Sequence, residues 1–201
     1  MSSFCLLLGT KNPGKVKEAK EILSFPGENL QILSFRERNF ADVDESGETY
    51  ADNSLKKARY ISQETGLPVL SDDSGLEVFS LNGAPGPRSA RFAGPGSTDE
   101  ENLHLLLDKL KGVDDREARF VTVATLYLSS EERYMTRGTL RGRISREARG
   151  ESGFGYDPIF VPDGFDKTLA QLGERKKNEI SHRRKALEKM KGKLKELSRR
   201  A

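Results

Sequence analysis

The chain has 201 residues and a formal charge of +3, with 34 Lys and Arg against 31 Asp and Glu, a surplus too small to argue for nucleic acid by itself. Apolar residues make up 35% and charged residues 32%. With no run as long as a membrane span, a soluble fold with a sizeable core is expected. The single Cys5 cannot close an internal disulfide, and two histidines cannot complete a structural zinc site, so the pattern points to a reducing cytoplasm and to a hard, oxygen-bound ion such as Mg²⁺ if a metal is used.

The first residues lack the basic and long apolar segments of a secretory leader. Phe4 to Leu8 is a continuous apolar run that reads as a strand. It ends in Gly9-Thr10-Lys11-Asn12-Pro13-Gly14-Lys15, after which Val16, Ala19, Ile22 and Leu23 recur at helical spacing. Strand, glycine-bearing loop and helix form a phosphate-binding layout, because loop N–H groups and a helix N-terminus attract an anion that Lys15 can neutralise. The letters also fit G-x-x-x-x-G-K, but Val16 stands where that motif needs a hydroxyl to ligate Mg²⁺. Leu30 to Leu33 reads as a second strand. An acidic loop, Asp42 to Glu48, precedes a helix running roughly from Thr49 to Glu64, in which Leu55, Ala58 and Ile61 share a core face. Asn53 and Lys57, four apart, can point at one neighbour.

The densest signal is Leu67 to Leu76, an apolar run followed by Ser71-Asp72-Asp73-Ser74-Gly75. It reads as a buried strand ending in a polar turn, the place where α/β proteins bind ligands. Two adjacent carboxylates repel each other and are costly to desolvate, and a divalent metal would satisfy both, with the acidic loop supplying a further carboxylate. The opposite reading is a junction whose acids cap backbone and face water. Leu76 to Phe79 resumes as strand. Thr98 to Glu101 is a capping box that opens a helix with Leu103, Leu106, Leu107 and Leu110 on its apolar face. His104 in that helix reads as a surface or structural residue.

Ala118 to Leu128 and Arg133 to Ile144 read as an antiparallel hairpin. Its arginines, among them Arg137, Arg141 and Arg143, read as a solvated face. Gly150 to Pro158 combines glycines with Phe154 and Tyr156, which suits close approach of a flat heterocycle. Ile159 to Val161 is a further strand. Leu187, Met190, Leu194 and Leu197 give the tail an amphipathic helix.

Together, Thr10 to Lys15, Ser71 to Leu76, Gly83 to Gly86, Gly153 to Pro158 and Ile180 to Arg183 resemble the inosine/xanthosine triphosphate pyrophosphatase family, over nearly the whole chain and in order. The resemblance implies one domain over 1–201, an α/β fold with an elongated central mixed sheet and flanking helices, two lobes with the nucleotide cleft between them, and a homodimer. It implies Mg²⁺-dependent hydrolysis of ITP, dITP and XTP to the monophosphate and pyrophosphate. Thr10, Lys11, Asn12, Pro13, Gly14 and Lys15 would hold the triphosphate, with Lys11 a departure from the small residue usual there. Asp73 would be the catalytic acid and a metal ligand, Ser74 a substrate contact, and Asp44 or Glu45 the other metal carboxylate. Lys57 would be the phosphate-cleft lysine. Phe154, Gly155, Tyr156, Asp157, Lys177, His182 and Arg183 would bind the nucleoside, with His182 and Arg183 donating to the 6-keto edge. A P-loop-like ATP or GTP hydrolase or kinase is the first alternative, and a nucleic-acid-binding module built on the arginine-rich hairpin and basic tail is the second.

Overall fold

The computed structural model describes residues 3–24 and 29–200. Among the described residues six strands and five helices follow in the order β1 (Phe4–Leu8), α1 (Pro13–Leu23), β2 (Leu30–Leu33), α2 (Tyr50–Thr65), β3 (Val69–Val78), α3 (Asp99–Lys109), β4 (Glu117–Tyr127), β5 (Arg133–Ile144), β6 (Phe160–Pro162), α4 (Leu169–Ile180) and α5 (His182–Arg200). The strands form a six-stranded sheet in the order β2-β1-β3-β4-β5-β6. It is mixed: β1 pairs parallel with β2 and β3, and β5 pairs antiparallel with β6. This is the α/β class with flanking helices that the resemblance implies. No helix among the described residues is long and apolar enough to cross a membrane.

Two compact units divide the chain. The first comprises Met1–Asp73, Thr122–Gly138 and Arg183–Ala201, the second Ser74–Val121 and Thr139–His182. The sequence shows no linker because the divisions fall inside β3, β4, β5 and the start of α5, not in loops.

In the first unit the strand pleat decides which core each side chain enters. Leu6, Leu8 and Leu70 pack with Ala19, Ile22 and Leu23 of α1 and Leu187, Met190 and Leu194 of α5. Leu7 and Val69, one residue out of step, pack instead with Ala58 and Ile61 of α2. The helices begin where their caps dictate: the Asn12 side chain accepts the Lys15 N–H ahead of Pro13, and the Thr49 hydroxyl accepts that of Asp52. In the second unit Leu76, Val78, Leu103, Leu106, Phe120, Ile159 and Phe160 form a separate core.

The polar turn expected at Ser71 to Gly75 is absent. β3 runs unbroken through those residues from Val69 to Val78. The reason lies in partners distant in sequence that satisfy the polar groups without a turn. Gly75 is held in the strand by close approach, since a Cβ there would sit 2.2 Å from the Gly86 carbonyl oxygen. Beside it the Leu76 N–H donates to Ser89 Oγ at 2.8 Å. After Val78 the chain turns into a short 3₁₀ segment, Phe79–Leu81, which takes Phe79 out of the strand the sequence suggests.

Candidate active site

The same pleat sends Asp72 and Asp73 to opposite faces of β3. Asp72 lies on the side of α1 and α5, where Lys15 Nζ stands 3.1 Å and Arg183 Nε 3.3 Å from its Oδ2. Arg183 is 2% exposed and also bonds Glu18 of α1, so two carboxylates share its charge. Asp73 lies on the side of α2, as does Ser71, whose hydroxyl donates to the Ser54 carbonyl. Asn53 Nδ2 donates to Asp73 Oδ2 at 3.0 Å. The expectation that one metal would settle both acids therefore fails: a buried guanidinium and a lysine already neutralise Asp72.

Asp73 is the high-energy group. Burial pushes its carboxyl up from 3.8 to about 6, against the opposing charges of Lys57 and Lys15, with Glu45 pushing further up and the Asn53 hydrogen bond pulling down. Lys15 is held below its usual range, first by burial and then by Lys57 and Arg183, with Asp72 and Asp73 acting in the other direction. Lys57 Nζ donates to the Asp72 carbonyl at 2.7 Å and pairs with Glu45 Oε1 at 3.1 Å. The first unit thus gathers Asp73, Lys15, Lys57, Asn53 and Glu45 around one stretch of strand.

The acidic loop separates its two candidates. Glu45 turns to Lys57, whereas Asp44, 72% exposed, pairs with Lys56 at 2.9 Å. In the phosphate loop, Thr10 Oγ1 accepts the Asn12 N–H at 3.2 Å, and Asn12 spends its side-chain oxygen on the Lys15 N–H. Helix α1 already starts at Pro13, so Gly14 and Lys15 lie in its first turn. Lys11 points away to Asp42 at 2.9 Å and lies over the Phe40 ring.

In the second unit, Lys177 and Asp157 form a buried pair at 2.6 Å. Lys177 Nζ also lies 3.9 Å from the centroid of the Phe154 ring. Asp157 accepts the Phe154 N–H at 2.9 Å and Asp99 accepts that of Gly155 at 2.7 Å, which together shape the 153–157 turn. Tyr156 donates its hydroxyl to the Ser89 carbonyl at 2.9 Å, and burial, then Asp99, raises its pKa. His182 is buried and stacks on Phe120 at 4.7 Å. Ser74 follows Asp73 in β3 and is half-buried. His104 is on the surface, 3.6 Å from Glu100. Arg183, the residue after His182, bonds Asp72 and Glu18.

Sequence reasoning gave no role to Glu18, Ser89 or Asp99. Asn53, by contrast, is singled out in the sequence by its spacing of four from Lys57. Around the hairpin, Arg119 lies 2.6 Å from Glu77, Arg146 3.0 Å from Asp114 and Arg149 2.9 Å from Glu147, while Arg141 and Arg143, more than half exposed, come only within 3.9 Å of Glu117 and Asp166.

The sequence model of the Ham1 family matches residues 6–193. The chain is 44% identical over 190 residues to a protein of Exiguobacterium named dITP/XTP pyrophosphatase, covering 94% of this chain and 96% of that one. A protein of the same name from Elusimicrobium minutum is 46% identical over 195 residues, covering 94% and 99%. Among solved structures, a HAM1 protein from Coxiella burnetii superposes with a TM-score of 0.87 at 38% identity, covering 96% of this chain and 99% of that chain.

Proposed function

Because the chain belongs to the Ham1 family, we propose that it is a nucleoside triphosphate pyrophosphatase, hydrolysing dITP, XTP and ITP to the nucleoside monophosphate and pyrophosphate with Mg²⁺. The observation that carries the reading is Asp73, a buried carboxylate raised to about 6 and facing two lysines and an acidic loop. Cleavage of the α–β phosphoanhydride needs an aligned water and neutralised oxygens, not a protein nucleophile. Asp73 orients that water and accepts its proton. Lys15 and Lys57 hold phosphate oxygens, and the N-terminus of α1 adds its N–H groups.

The residues fit a hard divalent cation. Asp73 and Glu45 both lie about the Lys57 ammonium, and no group of three or more His, Cys, Asp or Glu capable of holding a metal occurs among the described residues. That set suits Mg²⁺, which draws its remaining ligands from phosphate and water. When bound, the ion supplies electrophilic charge at the phosphate oxygens. Asp44, paired with Lys56, is left as a surface residue.

For the second unit we read the turn from Phe154 to Asp157, with Lys177, as nucleoside-binding. His182 offers an N–H to a 6-keto oxygen. Adenine would set its amino group against that donor, a mismatch worth about 10⁴-fold in a buried site. Arg183, which pairs with Asp72 and Glu18, follows His182 directly and is the second donor of that reading.

A panel of nucleoside triphosphates, ATP and GTP included, with Mg²⁺ or with chelator, tests this reading. Pyrophosphate and monophosphate from dITP, XTP and ITP, lost with chelator, is the expected result. Orthophosphate from ATP would support the P-loop alternative instead, against which Val16 already stands. The homodimer implied by the resemblance is tested by light scattering.

A further inference from the structure

Asn53 makes more connections than its place in a helix requires. Its side chain is fully buried, at 0% exposure. Oδ1 accepts the Gly47 N–H at 2.8 Å, while Nδ2 donates to the Gly47 carbonyl at 3.3 Å and to Asp73 Oδ2 at 3.0 Å. One amide thus ties the acidic loop to the carboxylate of β3. One helical turn on, Lys57 repeats the pattern, holding Glu45 of the loop and the Asp72 carbonyl of the strand. The two residues occupy one face of α2.

We propose that Asn53 is a positioning residue: it clamps the loop 42–48 at Gly47 so that Glu45 and Asp73 are presented together to one divalent cation. The proposal rests on the reading of those two carboxylates as metal ligands.

The chemistry of the position admits little else. A carboxamide offers an acceptor and two N–H donors, and here the acceptor meets an N–H while the donors meet two oxygens. Rotating the amide by half a turn would set donor against donor at Gly47 and acceptor against carboxylate at Asp73. Aspartate would put a second carboxylate against Asp73, and a shorter or apolar side chain would leave buried polar groups unmet. Gly47 is fitted to the same contact: a Cβ there would lie 2.6 Å from Asn53 Oδ1 and 3.2 Å from Asp52 Cβ. The glycine lets the loop backbone close on the amide.

Three readouts separate a clamp from a residue that merely fills space. The first is hydrogen exchange at the Gly47 amide. The second is Mn²⁺ binding to the nucleotide-free protein, followed by electron paramagnetic resonance. The third is the division of any activity loss between kcat and KM. For Asn53→Ala, exchange at Gly47 rises at least about tenfold, and Mn²⁺ affinity falls about 10- to 100-fold. In the same variant kcat falls by a similar factor, with KM changed less. A purely structural Asn53 would lower the melting temperature and leave the Mn²⁺ affinity of the folded protein intact, and that result would overturn the proposal. Should Asn53→Ala fail to fold, Gly47→Ala replaces it. The added methyl displaces the loop while the Asn53 to Asp73 bond can persist, so weaker Mn²⁺ binding is expected and unchanged binding refutes the clamp. If the wild-type chain hydrolyses none of the nucleotides, the functional reading fails, and the exchange and Mn²⁺ measurements still decide the clamp.

Discussion

Two buried acids with lysine neighbours show how differently one chain can use the same pair of charges. In the second unit Asp157 and Lys177 meet at 2.6 Å, each under 5% exposed, and the carboxylate also receives a backbone N–H. That pair is closed, and its effect is to fix a turn. In the first unit Asp73 lies among Lys57, Lys15 and Asn53 but remains a carboxyl pushed up to about 6, because burial outweighs its neighbours. A closed pair gains little from an added cation; an under-compensated carboxylate gains much. The contrast sets an ion pair that shapes the proposed nucleoside-binding turn, Asp157 with Lys177, apart from the proposed catalytic carboxylate, Asp73.

The sharpest test removes the chemistry alone. Asp73→Asn is expected to lower kcat by about 10²- to 10⁴-fold, the range of a lost general base, measured by pyrophosphate release, with the fold retained. Wild-type turnover in that variant would remove Asp73 from the mechanism. Breaking the closed pair acts on stability instead. Lys177→Met strands a buried carboxylate, so unfolding free energy falls by about 3 kcal/mol and the melting temperature by about 6–12 °C; calorimetry on the metal-free protein reads this directly.

The pH dependence of stability separates the two acids further. For Asp73 the folded pKa near 6 exceeds the ordinary 3.8, so the ionised form opposes folding. That cost is absent below about 3.8, grows between the two values and is complete above 6. Metal-free Asp73→Asn is therefore expected to be more stable than wild type at pH 8, on the order of 2–3 kcal/mol, with the gap closing toward pH 4. A gap independent of pH would contradict the raised carboxyl. The smallest effect is expected at the tail, where Arg200 pairs with Glu196 on the surface. Arg199→Ala with Arg200→Ala should change stability by less than about 0.5 kcal/mol and leave turnover unchanged, whereas a nucleic-acid-binding role would weaken salt-sensitive binding.

The elements with strong periodicity were legible in the sequence. Phe4 to Leu8, the capped helix after Thr98 and the leucine stripe from Leu187 to Leu197 all occur where their spacing places them. Helix α4 escaped notice, although Thr168 and Gln171 form a capping box at its start, because Gly173 interrupts the apolar repeat with a non-helical conformation. The stretch from Ser71 to Gly75 misled for a different reason. Its residues carry turn chemistry, and what keeps them in a strand comes from Asn53, Lys15 and Arg183, the last 111 positions away. Composition named the acids, but only the pleat, counted from Val69 and Leu70, assigns Asp72 to one face and Asp73 to the other. The dual ties of Arg183 to Glu18 and Asp72 left no trace in local sequence, since a buried ion network has no periodicity.

Gly75 bears on how this chain can vary. At position 66 the C-cap of α2 needs a left-handed residue, φ +71, but has nothing within 4 Å of a would-be Cβ, so asparagine is a workable replacement. At position 75 the obstacle is backbone, 2.2 Å away, and no rotamer change relieves it. A randomised library should therefore return a short menu at 66 and a single letter at 75. The residue two beyond Asp73 is thus closed to drift, though it carries no functional group at all.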